Sequence, residues 1–569
     1  MTSRRSSRWF SADDLRSFGH RSRARQMGWN DEDFNRPIIG IINTWNELNT
    51  CHTHFPERVG DIKRGVTEAG GVAVELPAIS LGEQLMKPSA MMYRNFLAME
   101  TEELLRAYPV DGAVLMGGCD KTTPGVLMGA LSANLPAVYV PAGAMFRGHW
   151  RGETLGSGTD VWKYWDQRQA GNLSASAWRG IEEGIARTPG TCMTMGTAAT
   201  MMLAAEALGM SLPGAASLPA ADAAHRRMAR AAGAQAVRLT EDNVRPADLI
   251  TAQAIDNAIA LVLAAGGSTN AIIHLTAIAR RAGISLPLER FEEIAAQTPL
   301  LANIKPSGQY VMEDLHRAGG SRALLARIPN LPHPSARTIN GKTLAENIAG
   351  AESFDDDVIR RIDNPLQESG SLAVLRGSLA PDGCVIKTAA ADKRLWRHTG
   401  PAVVFENMAD LKARIDSPDL SATADSVLVL KNAGPVGAPG MPEWGQLPIP
   451  KKLLRAGVRD MVRLSDARMS GTSYGACVLH IAPEAAAGGA LSLVQDGDLV
   501  ELNVPERELN LLVEEEELTR RRQALKPLPP RRLSAYGWLY VQHVMQADKG
   551  CDFDFASEEP GAADEPIIF

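Results

Sequence analysis

The chain of 569 residues is 45% hydrophobic and 22% charged, with a net charge of −7 and a pI near 6.0. That length accommodates two large domains or three or four smaller ones, and the mild acidity excludes the basic field that nucleic acid or an anionic membrane surface would need. Six scattered cysteines exclude a disulfide framework and point to a reducing cytoplasm, and no apolar run approaches the roughly 20 residues needed to span a bilayer.

In chain order, the first ten residues, M-T-S-R-R-S-S-R-W-F, are basic but lack the apolar stretch of a signal peptide. P-I-I-G-I-I-N-T (37–44), V-A-V-E-L-P (72–77), D-G-A-V-L-M-G-G (111–118) and A-V-Y-V-P-A (137–142) are short apolar runs ending in loop residues. Helical patterns such as N-F-L-A-M-E-T-E-E-L-L-R-A-Y (95–108) separate them, which predicts a largely parallel α/β layer. Ligands collect beyond the carboxyl ends of such strands, where Cys51 and Cys119 lie. Residues 175–330 are Ala-rich and helical, with Met and Ala stripes that read as packing surface. From about 370, runs at 371–387, 401–406, 426–432 and 498–504 predict a β-rich domain. The expected division is 1–370 and 371–569, with E-E-E-E-L-T-R-R-R (514–522) as a solvated helix face.

G-G-C-D-K-T-T-P-G (117–125) has the look of a phosphate loop but lacks its pattern. Asp120, not glycine, precedes Lys121, and a carboxylate there would repel phosphate. C-H-T-H (51–54) brings zinc into consideration, without the paired short spacing of structural zinc sites. Cys51, Cys119 and Cys192 stand 68 and 73 residues apart, so they meet only if the fold brings them together. Three thiolates would suit a soft metal or an iron–sulfur cluster; three inert core cysteines are the plainer alternative.

N-T-W-N-E-L-N-T-C-H-T-H (43–54), G-C-D-K-T-T-P (118–124), P-G-T-C-M-T-M-G-T (189–197), A-G-G-S-T-N-A (265–271), G-P-V-G-A-P-G-M-P-E (434–443) and L-S-D-A-R-M-S-G-T-S-Y-G (464–475) occur in that order over more than 400 residues. Together they resemble the iron–sulfur dehydratases that act on dihydroxy acids and sugar acids. S-L-G-E-Q-L-M-K-P-S-A-M-M-Y-R-N (80–95) and the G-T-C-M-T-M-G loop are similar to the aldonate branch. His52 departs from the asparagine that many relatives carry there.

The resemblance implies a hydro-lyase that converts a sugar acid, such as L-arabonate or D-xylonate, into its 2-keto-3-deoxy acid. It implies an N-terminal α/β domain with a largely parallel sheet flanked by helices, a C-terminal β-barrel-like domain, and a site between them. Cys51, Cys119 and Cys192 are then ligands of a [2Fe–2S] cluster, with [4Fe–4S] as the alternative. Glu83, Asp120 and Glu443 are ligands of Mg²⁺, joined by Lys121 once carbamylated; the alternative for Lys121 is a salt bridge to Asp120 or Glu83. Ser470 is the implied base, against the plainer reading of a serine opening a glycine turn. The family implies a cytoplasmic homodimer or homotetramer with a small-molecule substrate, no nucleic acid and no membrane. The competing functions are a branched-chain dihydroxy-acid dehydratase, an iron–sulfur redox protein and a zinc hydrolase. Residues 148–160 are assigned to the substrate pocket, an interface or a surface loop. Cys384, Cys477 and Cys551 carry no assigned role.

Overall fold

The computed structural model describes residues 4–169, 171–529 and 531–568. β1 (Ile38–Asn43), β2 (Val72–Pro77), β3 (Gly112–Gly117) and β4 (Ala137–Pro141) form a parallel sheet in the order β2-β1-β3-β4. Every residue of β1, β3 and β4 is buried, which is why these runs are apolar but for Asn43 at the end of β1 and do not alternate. β2 lies at the edge, is partly exposed, and ends at Pro77, where a missing N–H is tolerated.

Helices cover the sheet. Phe55–Glu68 packs so closely on Ala223–Asp242 that a Cβ on Gly65 would lie 1.9 Å from the Arg230 carbonyl oxygen. The Ala-rich helices Thr197–Ala207 and Ala252–Ala264 are buried on all sides or nearly so, as helices apolar on most of their circumference are. Their Met residues and most of their Ala residues are core, as their composition suggests. A small hairpin, β5 (Gly148–Trp150) and β6 (Glu153–Leu155), leads into helix Thr159–Gln169.

The second layer is a closed eight-stranded barrel. It comprises β7 (Ala373–Gly377), β8 (Ala380–Ile386), β9 (Arg397–Phe405), β10 (Val427–Leu430), β11 (Arg463–Ser465), β12 (Cys477–Ala482), β13 (Leu499–Asn503) and β14 (Glu508–Leu512). The strand order is β10-β11-β12-β8-β7-β14-β13-β9, so closure leaves no free edge. β11, β12 and β14 fall outside the runs expected from the sequence. Cys384 packs inside the barrel, whereas Val374, Val385, Cys477 and Leu479 join the core beneath the N-terminal helices. The two layers therefore share apolar packing.

Beyond the barrel, the chain returns to the first layer. Arg94, fully buried, donates to the carbonyl oxygens of Gly550 and Cys551 at 2.9 and 2.8 Å. Arg281 clasps Asp552 with bonds of 2.6 and 3.0 Å, and both side chains are buried. Burial would raise the Asp552 carboxyl, but Arg281 outweighs it and holds the pKa below the ordinary value. This contribution is therefore present above about pH 4 and is lost as pH falls through the folded pKa. Asp552→Asn strands a buried guanidinium and is expected to cost about 3–5 kcal/mol in urea unfolding at pH 7. Limited proteolysis should then cut more readily between the barrel and the tail; unchanged stability would show that the tail docks independently of this pair.

Candidate active site at the junction of sheet and barrel

The turns after β1 and β3 supply the first half of the site. Asn49 Oδ1 accepts the Cys51 N–H at 3.1 Å and sets the tight turn Thr50–His52. Cys119, Asp120 and Lys121 form the turn between β3 and helix Thr122–Ala133, whose first turn tolerates Pro124. Cys192 lies in the turn ahead of helix Thr197–Ala207. The fold places the three thiols within electrostatic reach of one another. A hydrogen bond to Cys119, then burial, then the nearby Cys119, Cys192 and Asp120 push the Cys51 thiol far up. Burial first, then Asp120, pushes Cys192 up to about 12. The Glu83 N–H points at Cys119 Sγ from 3.5 Å.

The carboxylates converge on Lys121. Its Nζ, wholly buried, lies 3.0 Å from Glu83, 3.3 Å from Asp120 and 3.2 Å from Glu443. The salt-bridge alternative therefore describes the side chain as it stands here, with Glu443 as a third partner. Burial and the Arg468 charge work against the ammonium, but Glu443, Glu83 and Asp120 outweigh them and hold its pKa above the usual lysine value. Burial raises Asp120 to about 6, with Glu443 and Glu83 adding to the effect and Lys121 opposing it. Burial would also raise Glu443, but Lys121 and Arg468 hold it low.

Arg468 and Asn270 complete this network, and neither was assigned a role from sequence. Arg468, fully buried, donates to Glu443 Oε1 at 3.0 Å, to the Met441 carbonyl at 2.8 Å and to Ser89 Oγ at 3.1 Å. Asn270 Nδ2 lies 3.0 Å from Glu443 Oε1, 2.9 Å from Thr197 Oγ1 and 3.1 Å from the Met469 carbonyl. It thereby links the carboxylates, the helix after Cys192 and the serine turn. Both residues lie inside motifs quoted above, which was the only signal for them.

Ser470 follows β11 in a turn pressed against the Cys192 side. A Cβ on Gly471 would lie 2.6 Å from Thr197 N and 2.8 Å from Gly196, so this approach requires glycine. Ser470 Oγ hydrogen-bonds Thr472 Oγ1 at 3.0 Å. The end of the 148–160 stretch lies here too: Thr159 Oγ1 donates to the Thr472 carbonyl at 3.3 Å, and Lys305 pairs with Asp160 at 2.6 Å.

The imidazoles of C-H-T-H are used in backbone hydrogen bonds. His52 Nδ1 donates to the Thr44 carbonyl at 2.6 Å, and Nε2 accepts the Cys119 N–H at 3.0 Å, so this departure from the family pattern positions the second cysteine. His54 Nε2 pairs with the Ala142 carbonyl, and His225 Nε2 with that of Pro141. Burial pulls His54, His225 and His480 down to about 3, 4 and 3. The unfolded chain therefore binds more protons than the native one below about pH 6.5, and stability is lost as pH falls from there. His52 and His274 are depressed by burial as well, so urea midpoints measured from pH 7 to 4.5 should fall as these histidines take up protons on unfolding, offset in part by the raised Asp120 carboxyl. A flat profile between pH 6.5 and 5 would show that other groups compensate.

The donor sets fit two different metals. Two buried thiols, Cys51 and Cys119, and the half-buried Cys192 suit a soft metal or cluster. Three carboxylates facing two cations leave one negative charge in excess, which suits a hard dication. Among the described residues no three His, Cys, Asp or Glu side chains close on one metal-bonding point, and the Lys121 ammonium fills the centre of the carboxylates.

Residues 36–347 match the N-terminal region of the dihydroxy-acid/6-phosphogluconate dehydratases, and residues 357–551 match the C-terminal region. The chain is 52% identical over 567 residues to 6-deoxy-6-sulfo-D-gluconate dehydratase of Pseudomonas putida, covering 99% of this chain and 98% of the relative. It is 46% identical over 568 residues to L-arabonate dehydratase of Azospirillum brasilense, covering 98% and 97%. It is 38% identical over 544 residues to a dihydroxy-acid dehydratase of Caldicellulosiruptor bescii, covering 93% and 97%. With both regions matched and the motif residues gathered where sheet and barrel meet, the chain belongs to the dihydroxy-acid/6-phosphogluconate dehydratase family and is a hydro-lyase.

Proposed function

We propose that this hydro-lyase dehydrates a sugar acid, a 2,3-dihydroxy carboxylate of the aldonate class, to the 2-keto-3-deoxy acid. The observation that carries the reading is the turn after β3, which sends Cys119 toward two other thiols and Lys121 into three carboxylates. Cys51, Cys119 and Cys192 would hold a [2Fe–2S] cluster, or a [4Fe–4S] one. Glu83, Asp120, Glu443 and a carbamate formed on Lys121 would hold Mg²⁺. When bound, these groups supply Lewis acidity for the departing 3-hydroxyl and for the substrate carboxylate and 2-hydroxyl.

Ser470 is the base. As alkoxide it takes the C2 proton, and Thr472, 3.0 Å away, orients the oxygen. The C3–O bond then breaks with its electron pair, and the departing hydroxide takes the proton that Ser470 removed from C2 and leaves as water, which restores the alkoxide. The remaining enol gives up its hydroxyl proton, takes a proton at C3 and becomes the ketone. Nothing is oxidised or reduced. Arg468 and Asn270 hold Glu443 in register with the serine turn.

Two observations favour an aldonate over a branched-chain dihydroxy acid. The relatives named for 6-deoxy-6-sulfo-D-gluconate and L-arabonate are 52% and 46% identical, against 38% for the relative named for dihydroxy acids. The Asp160–Lys305 pair beside Thr472 also offers charged partners for sugar hydroxyls where an alkyl substrate would need apolar walls. No helix among the described residues is long and apolar enough to cross a membrane. We place the enzyme in a reducing cytoplasm as a homodimer or homotetramer. The test is anaerobic purification with iron, sulfide and magnesium analysis, then a keto-acid assay on L-arabonate, D-xylonate, D-gluconate, 6-deoxy-6-sulfo-D-gluconate and 2,3-dihydroxyisovalerate. Turnover of the last compound alone would overturn the assignment.

A further inference from the structure

Lys387 is a buried cation with no place in the chemistry described so far. It follows the last residue of β8, its side chain is fully buried, and Val385 and Ile386 before it are core. Its Nζ donates to the Gly471 carbonyl oxygen at 3.5 Å, its one hydrogen-bond acceptor among the described residues. No carboxylate lies within ion-pair distance among those residues, in contrast to the similarly buried Lys121. Burial pulls the ammonium down to about 7. A charge so placed opposes folding, because neither water nor a counter-ion repays its desolvation.

Its location gives it a use. Gly471 is the residue after Ser470, and the Ser470–Gly471 turn is pressed against Gly196 and Thr197 on the cysteine side. Lys387 approaches the same peptide from the barrel side. Three residues on, the Ala390 carbonyl accepts the Gly475 N–H at 2.8 Å, so one short segment holds both ends of the serine loop. A serine hydroxyl is a poor base near neutrality, and nearby positive charge favours its ionised form.

We propose that Lys387 is a positioning residue for Ser470: its ammonium holds the Gly471 carbonyl, fixes the serine turn, and supplies buried positive charge that stabilises the alkoxide. The inference rests on Ser470 being the base. It gives the barrel a part in the proton transfer beyond carrying the serine.

The test uses holoenzyme and whichever aldonate of the panel is turned over best. Lys387→Met removes the charge and keeps the stem. Its expected melting temperature is equal to or above that of the native protein, with unchanged visible absorption, KM within about threefold, and kcat lowered about 100-fold or more. Lys387→Arg keeps a cation and a donor and should recover at least about tenfold of that loss. Native kcat in Lys387→Met would overturn the proposal. So would a lowered melting temperature or failure to fold, because a structural lysine predicts that result and an uncompensated one predicts the opposite. An Arg variant that folds normally yet is as slow as the Met variant would overturn it as well. Ser470→Ala, run alongside, separates the layers: native activity there removes the base itself, whereas an inactive Ser470→Ala beside an active Lys387→Met removes only the role of Lys387.

Discussion

Ser470→Ala is expected to lower kcat by about three orders of magnitude or more, with KM, iron and sulfide content and visible absorption unchanged. The expectation follows from how the turn is held. Asn270 grips the Met469 carbonyl, Gly471 abuts Gly196, and Thr159 reaches the Thr472 carbonyl, so none of these supports uses Ser470 Oγ. Deleting that oxygen costs the Thr472 hydroxyl its 3.0 Å partner and the Thr472 N–H its 3.4 Å acceptor, while the three supports named above remain to hold the turn. A loss confined to kcat is the mark of a group needed only in the transition state. Anaerobic steady-state kinetics with parallel absorption spectra will decide. Retained turnover would place the base elsewhere, and bleached absorption would make the serine structural.

Lys121→Met should abolish turnover and cost about 3–5 kcal/mol in urea unfolding of the metal-free protein. The ammonium is the common partner of Glu83, Asp120 and Glu443, and its removal leaves three largely covered carboxylates with Arg468 as the remaining cation, on Glu443. Some of that cost will be relieved by protonation, beginning with Asp120, which burial already raises to about 6. Lys121→Arg separates charge from carbamate chemistry. A guanidinium restores positive charge but offers no amine to carbon dioxide, so stability should partly recover while activity and magnesium binding do not. ¹³C-bicarbonate during reconstitution should give a carbamate resonance in the native protein that the Arg variant lacks. An Arg variant with native activity would end the carbamate reading, leaving Lys121 as the ion-pair centre described above.

The residues of this site were visible one by one, and their relations were not. Cys51 and Cys119 could be located at strand ends because β1 and β3 are uniformly apolar runs closed by polar turns, the signature of parallel strands buried on both faces. Their meeting with Cys192 could be expected only through resemblance, since spacings of 68 and 73 residues say nothing about distance. Arg468 and Asn270 went unassigned because their work lies with partners far along the chain, Ser89 for one and Glu443 for the other. Lys387 went unassigned because an isolated lysine after a strand reads as solvent-exposed until the fold buries it.

The same division runs through the fold. Local pattern was enough for the sheet, the Ala-rich helices and the β-rich character of the later chain, because each follows from the period and length of apolar runs. Barrel closure was decided in three dimensions: β11 is only Arg463–Ser465, too short for a period, and becomes a strand by pairing between β10 and β12. The return of the tail onto Arg94 and Arg281 depends on partners more than 270 residues away, a range at which no local signal operates. By itself, then, the sequence determined which segments are buried and which residue types are available for chemistry. Only the tertiary structure decided which of them share a charge environment, because a carboxylate, a thiol or an ammonium takes its chemical character from neighbours that the chain order does not name.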